Sequence, residues 1–325
     1  MLKDLHGRLR PLGIADILDE TVDLYRSNFV LLVGVSGVLN VPWAVLSALV
    51  ERAEGAAGAI GAVFGFAGAV VVGSIVTGAL TFAISHRYLG SPVSVGASYR
   101  RVLRSHIFFP LLGAMVLKDL IVFAPIGAVY VLLFAVAAAV SIQGAATGAA
   151  MAAIVALALL VPAAVWAFYF GIRFLLVEPA VILEQVGAGG ALSRSWNLMS
   201  GNVSKGFWLA VVVYGVMLLI MLIVTGPTQL AIASKTMARQ EVSRSLLAIN
   251  TILTALIGTV IAPCVSTAWI LLYYDMRIRK EGFDLELLAR ELDEKAREFR
   301  AQGAASLPQE RPGPGHSPQD TDPNE

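Results

Sequence analysis

Five stretches of this chain, residues 29–50, 55–85, 120–172, 207–234 and 246–274, contain no Asp, Glu, Lys or Arg. An α-helix of about 20 apolar residues spans the ~30 Å hydrocarbon core of a bilayer. Inside that core each backbone polar group must be satisfied within the protein, so a single apolar run crosses as a helix. The run from 120 to 172 is too long for one crossing, and its polar break "SIQGAATG" (Ser141–Gly148) divides it in two. The sequence therefore predicts an all-α, polytopic integral membrane protein with six transmembrane helices, near 29–50, 62–85, 110–140, 149–172, 207–231 and 248–274. Composition agrees: 57% of residues are hydrophobic and 14% charged, far from the balance of a soluble domain. The expected partner is the lipid bilayer. A net charge of +1 supplies no field that would favour nucleic acid.

Orientation follows from the basic residues. Nineteen of the 24 Lys and Arg fall in residues 1–28, 86–106, 173–206 and 276–325, on one side of the predicted spans. The positive-inside rule places those segments, and both termini, in the cytoplasm of a bacterial cell. Residues 1–28 do not read as a secretory signal, because they carry Asp16, Asp19, Glu20 and Asp23. The single cysteine, Cys264, lies in the last run and excludes a disulfide framework or a Cys-based metal site.

The segments before the odd-numbered spans share a plan. "LGIADILDETVDLYRSNF" (Leu12–Phe29), "VSVGASYRRVLRSHIFF" (Val93–Phe109) and "GAGGALSRSWNLMSGNVSKGF" (Gly187–Phe207) each start beside a Gly or Pro and carry an aromatic, Tyr25, Tyr99 or Trp196. We read them as interfacial helices, each followed by a helix pair, so that the membrane domain of residues 1–283 consists of three such units. In the first, Ile14, Ile17, Leu18, Val22 and Tyr25 share a helical face. Ala57, Gly61, Gly65, Ala69 and Gly73 recur every four residues, a small-residue pattern that lets helices approach closely. Pro42, Pro125, Pro162 and Pro263 lie inside apolar runs, where they kink a helix and free a carbonyl.

Groups that could carry chemistry are few. Asp16, Asp19, Glu20 and Asp23 share one helical face, and clustered carboxylates bind hard cations. No His or compact loop completes a coordination shell, so this face reads as solvated, or as docking on Arg100, Arg101 and Arg104. Lys118 and Asp119 are the candidate functional polar residues within the membrane, since burying charge there costs at least ~2.5 kcal/mol. Consecutive helical positions pair poorly, and Lys118 lies about 18 Å along a helix from His106, within reach of the inner surface by snorkelling. Glu178 and Glu184 bracket "EPAVILE", where Pro179 suggests a turn. His6, His86, His106 and His316 lack any ligand spacing, and "GAGG" (Gly187–Gly190) lacks the residues of a phosphate loop. No catalytic residue, cofactor or metal is assigned.

The last span ends on "LLYYDMRIRKEGFDLELLAR" (Leu271–Arg290). Tyr273 and Tyr274 are expected in the headgroup layer, with Asp275, Arg277, Arg279 and Lys280 at the inner leaflet, and Gly282, Phe283 and Asp284 starting a new helix. "FYFGIR" (Phe168–Arg173) has the same look. Residues 284–300 read as a cytoplasmic amphipathic helix with a Leu285, Leu288, Leu292, Ala296 and Phe299 seam, suited to a protein partner or to self-association. Residues 301–325, rich in Pro and Gly, are expected to be disordered.

Three blocks carry a resemblance: "GIADILDETVDLYRSNF", "VEPAVILEQVGAGGALSRSW" and "YYDMRIRKEGFDLE". Together they resemble the bacterial family named for the membrane domain of glycerophosphoryl diester phosphodiesterase. Members that give the family its name join this domain to a catalytic barrel. This sequence has no soluble stretch near the ~250 residues of such a barrel, and the resemblance transfers no catalytic residue. It implies a multi-pass bacterial membrane protein. The expected role is non-enzymatic, organising or assisting envelope partners; the alternative is a transporter or flippase for a lipid-like solute.

Overall fold

The structure, a computed structural model, describes residues 11–50, 55–143 and 146–282. Among them every regular element is an α-helix: α1 (Ile14–Ser27), α2 (Phe29–Val50), α3 (Gly55–Tyr88), α4 (Val95–Val102), α5 (Ser105–Gln143), α6 (Ala146–Arg173), α7 (Val177–Glu184), α8 (Ala188–Met199), α9 (Val203–Met237) and α10 (Arg244–Glu281). Six of these, α2, α3, α5, α6, α9 and α10, are long and apolar enough to cross a membrane. They extend past the predicted runs by up to seven residues, because flanking polar residues continue the helical hydrogen bonding beyond the apolar segment. The amphipathic helix expected over 284–300 and the tail of 301–325 lie outside the described residues, as do Phe283 and Asp284.

Short helices form where the sequence caps them. Ser94 Oγ accepts the Ala97 amide in front of α4, and Asp16 Oδ2 accepts the Gly13 amide in front of α1 at 2.7 Å, each satisfying a donor at or beside a helix start. The stretch around Pro179, expected as a turn, is the helix α7 instead. Pro179 occupies its first turn, where no amide donor is required, and Gln185 closes it in the left-handed region with φ 56°. Pro110 and Pro227 join the four expected prolines within long helices.

The last helix organises the bundle. α10 packs against α1, α2, α3, α8 and α9, and 50% of its most apolar window is buried, against 11% for α5. α5 and α6 pair along a seam of Val129, Ala156 and Ala163, while Phe123, Val131, Phe134, Leu157 and Val165 project outward. This apolar exterior fits a hydrocarbon surround. The N-terminal ends of α2, α5 and α9 and the C-terminal ends of α3, α6 and α10 come together with the short helices at one end of the bundle. Ties between Ser85 and Tyr274, Leu12 and Asp275, and Arg173 and Trp196 fix that arrangement.

Two packing expectations are corrected. In the stripe from Ala57 to Gly73, the later positions are not a contact face: a Cβ added at Gly65 or Gly73 would meet nothing within 4 Å, and Ala69 is exposed, while Gly61 is buried. Four-residue steps on a 3.6-residue helix drift by about 40° each, so five such positions cannot hold one line. Close approach occurs at Gly68, where a Cβ would lie 1.9 Å from the Trp43 ring, and at Gly78 against Leu111 at 2.7 Å. On α1 the buried face is Ile17, Thr21 and Leu24, while Val22 is 47% exposed. The helix therefore turns its i, i+4, i+7 line toward α10.

Two tyrosines, on α1 and α4, dock their short helices on long ones. Tyr25 donates to the Val260 carbonyl at 2.7 Å, in the turn that Pro263 disrupts. Tyr99 donates to the Val35 carbonyl, and burial pushes its phenol up to about 12, so it stays a neutral donor.

Candidate functional site

Among the charged residues at the end of α10, Asp275 enters the protein, and Arg277, Arg279 and Glu281 pair with charges beside it. Asp275 is fully buried. Its Oδ1 accepts the Leu12 amide at 2.8 Å, and its Oδ2 accepts Lys205 Nζ at 2.5 Å. Arg279 Nε reaches both oxygens, at 3.0 and 3.1 Å. Lys205 and Arg279 also donate to the Leu12 carbonyl, at 2.6 and 2.8 Å. One carboxylate thus joins the segment before α1, the first turn of α9 and the last turns of α10. A buried carboxylate requires such pairing, since an isolated buried charge costs several kcal/mol.

A second network lies alongside. Arg194 of α8 donates from Nε to both oxygens of Glu184, at 2.9 and 2.7 Å, and from Nη2 to Glu281 Oε2 at 2.7 Å. Tyr273 donates to Glu184 Oε1 at 2.6 Å, and Arg277 Nε to Glu281 Oε2 at 3.1 Å. The hydrogen bond to Glu281 holds the Arg194 guanidinium above its ordinary value, with Glu184 adding to it against the effect of burial. Lys280 Nζ donates to the Asn197 carbonyl at 2.5 Å. Three elements, α7, α8 and α10, are locked through these charges.

Tyr273 and Tyr274 are 0% and 3% exposed, so their rings pack against neighbouring helices rather than facing outward. Tyr274 shares a 2.6 Å hydrogen bond with Ser85 and packs its ring 5.2 Å from that of Tyr88. The reason is the central place of α10, which has helices around it where α6 has few. The similar motif at the end of α6 behaves differently: Phe168 and Tyr169 are 48% and 40% exposed, and Arg173 stacks 4.3 Å over Trp196. Ser195, between these elements, donates to the Arg173 carbonyl at 2.8 Å and accepts the Leu176 amide at 3.2 Å. Gly282 follows α10 with φ 60°, a left-handed conformation that glycine adopts without strain.

Lys118 pairs with Glu178 of α7 at 3.4 Å and lies 3.9 Å from Asp119. The structure brings together Lys118 and Glu178, a partner the sequence reading did not assign. Among the described residues no group of three or more His, Cys, Asp or Glu could hold a metal ion. The α1 acids sit on a helix that packs against α10. Glu184, Arg194, Ser195 and Lys205 were missed as partners; the signal available was that Lys205 is the sole charge near the start of the fifth predicted span.

Six apolar helices with a charge-tied polar end define a polytopic membrane domain. Residues 146–302 match the family described as the membrane domain of glycerophosphoryl diester phosphodiesterase, and over this segment the chain is similar to that domain. The match takes in α6 to α10, and with them Glu184, Arg194, Lys205, Asp275 and Arg279; no catalytic domain forms part of it. Two of the three sequence blocks fall within it, and the block at Gly13–Phe29 lies outside. No curated protein and no solved structure matches the chain.

Proposed function

We propose that this protein is a non-enzymatic, six-span organiser of the bacterial cytoplasmic membrane, with both termini cytoplasmic, which assists envelope proteins by contact. The observation that carries this reading is how the carboxylates at the polar end are used. Asp275 and Glu184 each spend their oxygens on cations and donors from other helices, which fits a stabilising role better than that of a general base, whose lone pair must reach a substrate proton. The basic-residue bias supports the orientation, and the seam predicted over 284–300 supplies a contact surface.

The test is in-cell crosslinking and co-purification of the full chain and of a variant deleted for residues 284–325. Defined envelope proteins recovered by the full chain and lost with the deletion are expected. Recovery of no partner, with wild-type behaviour of the deletion, overturns the reading.

A transporter reading draws on an apolar groove of about 420 Å³ between α5 and α6, lined by Pro125, Leu132, Pro162 and Trp166 among others. Its lining leaves out Lys118 and Asp119, the polar groups such a pathway would use, and the organiser reading therefore has more support.

A further inference from the structure

We propose that the corner formed by the end of α3, by α4 and by the start of α5 binds the phosphate of a membrane lipid, with Arg87 and Arg101 as its donors. Residues 86–106 hold Arg87, Arg100, Arg101, Arg104 and two histidines, and no carboxylate. Elsewhere at the polar end Lys118, Arg194, Lys205, Arg277 and Arg279 each face an Asp or Glu, and Arg173 and Lys280 donate to the carbonyls of Trp196 and Asn197. Among the described residues none of the four corner arginines forms an ion pair with a carboxylate.

Two of them are also held in place. Arg87 Nη2 donates to the Val93 carbonyl at 3.4 Å, in the connection leading to α4. The Arg101 guanidinium lies 6.0 Å over the Phe82 ring, which itself stacks 3.9 Å from His86. The Nε atoms of Arg87 and Arg101 are buried and have no acceptor among the described residues. The Nε atoms are covered by the protein, so an acceptor from outside the chain would meet these half-buried cations through their Nη atoms. A phosphate oxygen meets the fork geometry of a guanidinium better than any neutral group does.

The surroundings select an amphiphile. The apolar part of α3 ends at Tyr88 and that of α5 begins at His106, so the corner stands at the level where a bilayer changes from hydrocarbon to headgroup. Leu103 and Phe109 beside it are 57% and 66% exposed and offer contact for acyl chains, while Arg100 and Arg104 are exposed and add long-range attraction.

The experiment uses the full chain in non-ionic detergent, with binding read by thermal stabilisation and by native mass spectrometry. Phosphatidylglycerol, glycerophosphate and inorganic phosphate are added at matched ionic strength. Phosphatidylglycerol is expected to bind and stabilise, and the two soluble phosphates to do so at least about tenfold more weakly. The Arg87→Gln/Arg101→Gln double variant is expected to bind the lipid about 30-fold more weakly, whereas Arg244→Gln, exposed at the start of α10, binds as wild type. Should the double glutamine variant fail to fold, Arg87→Lys/Arg101→Lys retains charge without the guanidinium fork and is expected to bind several-fold more weakly. Equal lipid binding by wild type and the arginine variants overturns the proposal. Inorganic phosphate stabilising as strongly as the lipid overturns the assignment to a lipid headgroup.

Discussion

At the scale of single residues, contact in this protein depends on where a side chain meets a neighbour more than on what type it is. Gly68 illustrates this. The sequence singled out the glycines and alanines at four-residue spacing, yet the ring of Trp43 sits where a Gly68 Cβ would have to be. The periodic pattern was visible; the facing aromatic on another helix was not, because pairing between helices is a tertiary fact. Substituting Gly68→Ala should displace the Trp43 indole and cost about 1–3 kcal/mol. Thermal unfolding in detergent checks this, and adding Trp43→Leu should recover most of the loss. A neutral Gly68→Ala would show that the approach of α2 to α3 is looser than described. Tyr273 and Tyr274 make the same point: two tyrosines before an arginine read as interface anchors, and only the ring of helices around α10 turns them inward.

At the scale of elements, the apolar runs made all six long helices legible, since helix formation in hydrocarbon follows from backbone satisfaction alone. α7 was not legible, because its eight residues carry a proline that favours a turn unless it falls in a first helical turn. The prolines inside long helices raise a further question of what satisfies the carbonyls they free. In α5 the answer is specific. Pro125 has no amide for the Ile121 carbonyl four residues earlier, and Trp166 Nε1 of α6 donates to that carbonyl at 2.9 Å. Trp166→Phe should therefore cost about 1–3 kcal/mol through the unsatisfied carbonyl. In a Pro125→Ala background, where the alanine amide takes over the bond, the same substitution should cost about 1 kcal/mol less than in the wild type. A denaturation cycle on the four proteins reads the difference, and an equal loss in both backgrounds would show that the indole does not serve the kink.

At the scale of the whole molecule, ties at one end join segments far apart in sequence. The stretch before α1 meets the end of α10 through Asp275, over a separation of 263 residues. Glu184 connects α7 with α8 and α10. The sequence displayed all these charges at the edges of apolar runs and located the polar end with them. It could not show that they pair with one another, because each partner comes from a different helix and the pairing is set by how those helices pack. The central claim is that these charges hold the membrane domain together. The most direct measurement is a double-mutant cycle on Lys205→Met and Asp275→Asn, with unfolding free energies taken in detergent. Coupling of at least about 1 kcal/mol is predicted, the range found for residues sharing one ion network. Coupling within about 0.3 kcal/mol of zero would contradict the account, because the two residues would then contribute independently.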